Sequence, residues 1–150
     1  MTNSHDIKVL KELANVNEDA AEFYETAQES VKDDTYKTTF SNLESLHESV
    51  ASNVVILMKS YGEDYDADET IKGQAMQFWT QTKAMFSGSP NETFIKDLEE
   101  AEDRCLHSMQ DAVSDTKISD TTRARLQNEL TSLRKAHDYM KSLKENLKAA

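Results

Sequence analysis

The sequence has few of the residues that interrupt regular structure, with three glycines and one proline among 150 residues. β-Sandwiches, barrels and nucleotide-binding α/β sheets need turn residues about every ten positions, so this composition excludes them. No window comes close to about eighteen consecutive apolar residues, which predicts that no segment spans a membrane. We therefore expect an all-α protein that forms one domain over residues 1–150.

Cysteine and positive charge are also scarce. The single cysteine, Cys105, cannot form an internal disulfide, and the first residues hold no apolar run typical of a signal sequence. Asp and Glu number 28 against 17 Lys and Arg, so the net charge is −11. A surface of that charge repels phosphate backbones and anionic lipid. We expect a cytoplasmic protein with no nucleic acid partner and no membrane partner.

Apolar residues recur at steps of three and four along four segments, which is the spacing of amphipathic helices. The segments cover residues 7–31, 36–61, 91–113 and 120–147. Ser4 or Asp6 is available as the N-cap of the first helix and Asp120 as that of the fourth, while Gly62 suits the end of the second. The sequence therefore predicts four helices.

The connection between the second and third helices, from about residue 62 to 90, is too long for a tight turn. A helix from Thr70 to Phe86 would cover roughly 25 Å, which with the acidic stretch before it is enough to traverse a small bundle. Such a crossover makes the second and third helices parallel. The sequence therefore predicts an up-down-down-up four-helix bundle with a long helical crossover.

Several polar residues fall on the inner faces of these helices. Counting residues from the turns places Glu44, His47, Glu102 and Glu129 at one level of the core. Burying unpaired carboxylates costs several kcal/mol each, so this layer requires a cation, shared protons or water. Carboxylate and imidazole ligands together suit iron, manganese or zinc. The pattern predicts one metal ion bound by these four residues.

The same residues also allow a structural interpretation. Glu44 and Glu129 have flexible stems and can turn to the solvent edge. Glu102 can instead form a hydrogen bond with His47 or Tyr24. Both interpretations stay open at this point.

Three further features are expected to be structural. His137 is expected to be a histidine of the core or of the bundle end, and Cys105 a small buried apolar residue. Trp79 belongs to an apolar patch of the crossover, with Met76, Phe78, Met85 and Phe86. This patch suits packing on the bundle flank, with a dimer contact or a small-molecule groove as alternatives.

The four-helix pattern with Glu44-x-x-His47 resembles the ferritin-like superfamily. It looks most like an uncharacterised family of small bacterial ferritin-like bundle proteins of unknown function. The other features that carry this resemblance are Leu10-x-x-Leu13, the crossover with Trp79, the run from Leu98 to Asp103, and the run from Lys135 to Asp138.

The resemblance implies a specific set of metal ligands. In metal-loaded ferritin-like proteins each half of the bundle supplies a Glu and a Glu-x-x-His. Asn17 and Ala21 stand where the first helix would supply a carboxylate, and Ser132 stands where a histidine would follow Glu129. The resemblance therefore implies a degenerate site that holds one metal ion.

We expect a non-enzymatic ferritin-like bundle protein of unknown physiological role that binds one metal ion. A di-iron oxidase or ferroxidase is one alternative. A metal-free interaction or dimerisation module, acting as a homodimer, is the other. No phosphate loop, nucleophile elbow, paired-histidine zinc motif or dinucleotide fingerprint occurs in the sequence.

Overall fold

The structure is a computed structural model that describes residues 4–65 and 92–149. In these two ranges there are four α-helices: α1 Ser4–Ser30, α2 Asp34–Ser60, α3 Glu92–Ser114 and α4 Asp120–Ala149. Within the described ranges no residue is in a β-strand. The prediction of an all-α fold is confirmed. The predicted crossover lies outside the described residues from position 66 onward.

The two ends of α2 follow the predicted local signals. Asp33 is the N-cap, and its side chain accepts hydrogen bonds from the backbone N–H groups of Thr35 and Tyr36. At the other end Tyr61 is the C-cap, and Gly62 follows with φ +84°, a left-handed conformation that suits glycine. Both the break before α2 and the glycine stop are therefore confirmed.

The start of α4 differs from the prediction in its capping residue. The Oγ atom of Ser119 accepts a hydrogen bond from the Thr122 backbone N–H, so Ser119 takes the capping role predicted for Asp120. Asp6 lies inside α1 and does not cap it. Its carboxylate is buried and accepts hydrogen bonds from the hydroxyl groups of Ser119 and Thr122. This carboxylate therefore links the first turn of α1 to the first turn of α4.

Contacts between the two helical hairpins give the helix directions. They are His5–Asp115 and Tyr24–Glu102 between α1 and α3, and Thr39–Tyr139 and Tyr61–Thr122 between α2 and α4. In both sets an early residue of one helix meets a late residue of the other, so each pair is antiparallel. Because α1 and α2 form an antiparallel hairpin, α2 and α3 run in the same direction. This is the up-down-down-up order.

The apolar core has two parts along the bundle. One part contains Leu10, Met58, Met109 and Leu126, and the other contains Phe40, Ile95, Leu98 and Met140. In α2 and α3 the boundary between the two parts falls at His47 and Glu102, which are both buried. The fold therefore places a histidine and a carboxylate near the middle of its core.

Among the helices that the structure describes, none has an apolar stretch long enough to cross a membrane.

Candidate functional site in the bundle core

Four buried polar side chains meet in the core: Asn17 and Tyr24 from α1, His47 from α2 and Glu102 from α3. We refer to them as the core cluster. Each points inward because it lies on an apolar stripe of its helix. The stripes include Leu13 and Ala20 beside Asn17, Leu43 and Val50 beside His47, and Leu98 and Cys105 beside Glu102.

The core cluster is a chain of short hydrogen bonds. Glu102 Oε1 accepts from the Tyr24 hydroxyl at 2.6 Å and lies 2.7 Å from His47 Nε2. His47 Nδ1 lies 2.8 Å from Asn17 Oδ1. The amide nitrogen of Asn17 donates to the Leu13 carbonyl at 2.9 Å, so Asn17 Oδ1 is the acceptor and His47 Nδ1 carries a proton.

The surroundings of His47 favour its protonated form. Burial lowers the pKa of His47, but the neighbouring Cys105 and Glu102 outweigh that effect and raise the pKa to about 10. At neutral pH both ring nitrogens then carry protons, and His47 donates to Asn17 and to Glu102. The imidazole ring also stacks on Tyr24, with ring centroids 5.8 Å apart and planes 15° apart. The pair is therefore an imidazolium and a carboxylate held out of water.

One carboxylate oxygen of Glu102 forms no hydrogen bond within the core cluster. Oε1 has two partners, whereas Oε2 is buried and has no hydrogen-bond partner among the described residues. A buried carboxylate oxygen without a donor carries a desolvation cost of about 1–3 kcal/mol. The carboxylate also contributes to raising the pKa of Tyr24, after burial, because a second negative charge beside it is unfavourable.

The structure brings together two of the four predicted metal ligands. His47 and Glu102 are in contact, and Glu102 also accepts from Tyr24, so both hydrogen bonds that the structural interpretation of Glu102 allowed are present. Glu44 is half-buried and accepts a hydrogen bond from Gln28 at 2.9 Å. Within residues 4–65 and 92–149, no group of three or more His, Cys, Asp or Glu side chains is placed to hold a metal ion. Metal binding by the four residues stays a prediction.

Glu129 lies in a different place from the core cluster. Its Oε1 accepts a hydrogen bond from Asn53 at 2.9 Å, and burial raises its pKa. Asn53 lies six positions after His47, which is roughly 9 Å along a helix. Counting equal numbers of residues from the turn placed Glu129 at the level of Glu102, but α3 and α4 are offset along each other. Asp103 of α3 contacts His137, so Glu102 lies level with residues of α4 well beyond Glu129.

Two of the remaining predicted features, His137 and Cys105, lie among the described residues. His137 is mostly buried and contacts Asp103, so it belongs to the α3–α4 contact. Cys105 is buried, as predicted, and its thiol lies 3.6 Å from the Val16 carbonyl oxygen. The patch around Trp79 lies outside the described residues. Asn17 was predicted only to stand in place of a carboxylate, although its position on an apolar stripe of α1 indicated a buried hydrogen-bonding role.

The fold and the site together define an all-α four-helix bundle with a histidine–carboxylate pair buried in its core. The chain belongs to the family described as a domain of unknown function, DUF2383, whose model matches residues 5–115. The matched residues contain α2, α3, nearly all of α1 and the whole core cluster, and they end before α4. Comparison with curated proteins and with solved structures gives no match.

Proposed function

We propose that this chain is a non-enzymatic ferritin-like bundle protein that acts through its surface. In this proposal the proton between His47 and Glu102 stabilises the core cluster, and no metal ion is bound there. Three features support the ferritin-like assignment: the up-down-down-up helix order, the Glu44-x-x-His47 sequence on α2, and the contact between His47 and Glu102. A single free cysteine agrees with a cytoplasmic location, which the proposal includes.

The main support for this proposal is that both ring nitrogens of His47 take part in hydrogen bonds. Nδ1 faces Asn17 and Nε2 faces Glu102, at 2.8 and 2.7 Å. A metal ion binds imidazole through a nitrogen lone pair, so the protonated ring has none to offer. Binding would need to displace the Nε2 proton and separate the ring from Glu102. Hydrogen bonding therefore competes directly with any metal at this site.

One observation favours a second candidate, which is binding of a single iron, manganese or zinc ion. Glu102 Oε2 is buried and has no donor among the described residues, and a cation would satisfy it. Glu102 and His47 would be the first two ligands, and Glu44 lies one helical turn before His47. Glu129 would need to leave Asn53 to join them. Two residues in contact are fewer than such ions take from proteins, so this candidate ranks second.

A di-iron oxidase or ferroxidase places stronger demands on the site. It needs a second set of carboxylates and a second histidine near the first. Asn17 occupies the α1 position in the core cluster, and Ser132 follows Glu129 where a histidine would be required. A di-iron oxidase or ferroxidase would therefore be supported only if the metal measurement below gave two ions per chain.

Elemental analysis separates these possibilities. The protein is purified without chelator and measured before and after incubation with Fe²⁺, Mn²⁺ or Zn²⁺, together with Glu102→Gln and the matched control Glu100→Gln, an exposed glutamate of the same helix. We expect a metal content near zero in all three proteins, because the His47 proton blocks the site. About one ion per chain that Glu102→Gln abolishes would establish the second candidate. About two ions per chain would establish a di-metal centre.

A further inference from the structure

A groove runs along the outer face of the α1–α2 hairpin. It has a volume of about 440 Å³, and we call it the α1–α2 groove. Its floor is made by Ala21, Ala51, Val55 and Ile56. The two alanines are buried, and their small side chains leave space between the helices. Ile56 is 61% exposed, so the floor presents apolar surface to solvent.

The walls of the groove carry charge of mainly one sign. They contain the carboxylates of Glu18, Asp19, Glu22, Glu25 and Glu48, and one ammonium group, that of Lys59. Burial and the neighbouring Glu22 raise the pKa of Asp19, to about 6, although Arg104 opposes this rise. A groove with an apolar floor and acidic walls is complementary to a surface with an apolar stripe and basic flanks.

The dimensions of the groove match one helix. Its α2 side extends from Glu48 to Lys59, which is eleven positions, or about 16 Å of helix. A helix of about three turns covers that length and presents apolar residues at steps of three and four. Lysine and arginine on both sides of that stripe would face the carboxylates of the walls.

We infer that the α1–α2 groove binds a basic amphipathic helix of a protein partner. This inference rests on the proposed function, in which the protein acts through its surface. Two other occupants fit the charge less well. A second copy of the chain has a net charge of −11, and residues 66–91 carry three acids and only two lysines. Neither gains from the acidic walls as a basic helix does.

The test measures binding of a synthetic amphipathic helix of about eighteen residues, with leucines on one face and lysines on the other. A peptide of the same composition in scrambled order controls for charge alone. The titration uses the full chain and follows peptide anisotropy. We expect the amphipathic peptide to bind at least about tenfold more tightly than the scrambled peptide, because only it places leucines on the floor.

Variants of the protein locate the binding surface. The triple variant Glu22→Gln, Glu25→Gln and Glu48→Gln removes three charges from the walls, and we expect it to weaken binding at least about tenfold. The control removes three exposed charges on α3 and α4, with Glu100→Gln, Asp111→Asn and Glu145→Gln. It reaches the same net charge, and we expect a change of less than about twofold.

Ile56→Ser tests the apolar contact, and because Ile56 is exposed this change should leave the fold intact. We expect it to weaken peptide binding at least about fivefold. Equal weakening by the two triple variants, or no effect of Ile56→Ser, would overturn the inference and leave only nonspecific charge attraction. Absence of binding would also overturn it, as expected if the groove is covered by another occupant. None of these results alters the metal content, which tests the proposed function separately.

Discussion

At the scale of single residues, the main feature is an ion pair that has no access to solvent. His47 is 0% exposed and Glu102 1% exposed, and their side chains lie 2.7 Å apart. A buried ion pair of this kind is not a net source of stability in general, because desolvation offsets attraction. Removing one partner is costly, however, because the other is left charged and buried. The core cluster should therefore act as a unit.

The first prediction concerns the pH dependence of stability. Folding raises the pKa of His47 above its ordinary value of about 6.5. This contribution to stability is therefore complete below about pH 6.5 and is lost as the pH rises through the higher pKa of the folded state. We expect the free energy of unfolding to fall from about pH 6.5 upward. Urea unfolding followed by circular dichroism at several pH values measures it.

Glu102→Gln should change this profile. Without the carboxylate, one of the two neighbours that raise the pKa of His47 is lost, so the decline with pH should become shallower. At pH 6.5 we expect the variant to be less stable by about 3 kcal/mol, because the imidazolium loses its charged partner. His137→Gln is the control and should keep the wild-type slope, since it leaves the core cluster intact. Identical slopes for wild type and Glu102→Gln would contradict the prediction.

At the scale of secondary-structure elements, two carboxylates near helix starts, Asp33 and Asp6, form different kinds of contact. Asp33 is exposed and binds only the first turn of its own helix. Asp6 is buried and accepts from Ser119 Oγ at 2.7 Å and from Thr122 Oγ1 at 2.8 Å. The first contact is local and could be read from the sequence. The second joins residues more than a hundred positions apart, so local patterns could not reveal it.

The second prediction compares these two carboxylates. Asp33→Ala should lower the free energy of unfolding by about 1 kcal/mol, the usual value of an exposed N-cap. Asp6→Ala should lower it by about 2 kcal/mol, because it leaves the buried Thr122 hydroxyl and the backbone N–H and hydroxyl of Ser119 without their acceptor. Hydrogen exchange should also become faster at the Ser119 and Thr122 amides in Asp6→Ala only. Equal losses of stability in the two variants would show that the Asp6 contacts across the bundle contribute no more than an exposed N-cap.

At the scale of the whole molecule, the negative net charge opposes association of two copies of the chain. A homodimer formed through the apolar patch around Trp79, which is one of the alternatives for that patch, stays a prediction from the sequence. A homodimer brings together two chains that each carry a net charge of −11. Their mutual repulsion opposes dimerisation, and salt screens it over a Debye length of about 10 Å at 0.1 M. Association should therefore depend strongly on ionic strength.

The third prediction follows from this charge. We expect the dimer fraction in sedimentation equilibrium to rise between about 0.05 and 0.5 M NaCl, as the repulsion is screened. Trp79→Ala should be mainly monomeric across that range, because it removes the largest apolar side chain of the patch. Ile56→Ser is the matched control, since it removes exposed apolar surface from α2 instead. A wild-type monomer at every salt concentration would exclude the dimer, and a dimeric Trp79→Ala would exclude the patch.

The sequence by itself determined the four helices and most of the core. Apolar spacing, the Asp33 cap and the Gly62 stop all act within a few residues, so local physics is enough to predict them. The inward positions of His47 and Glu102 also followed from helical spacing, because each lies on a stripe of buried apolar residues.

Only the tertiary structure decided which polar residues meet. The level of each residue across the bundle depends on how far neighbouring helices are offset along each other, and periodicity does not report that offset. The contact between Asp103 and His137 shows the register of α3 and α4, and Glu129 lies beside Asn53, apart from the core cluster. The partners of Glu102 were likewise set by packing, which brought α1 and α2 to the same carboxylate oxygen.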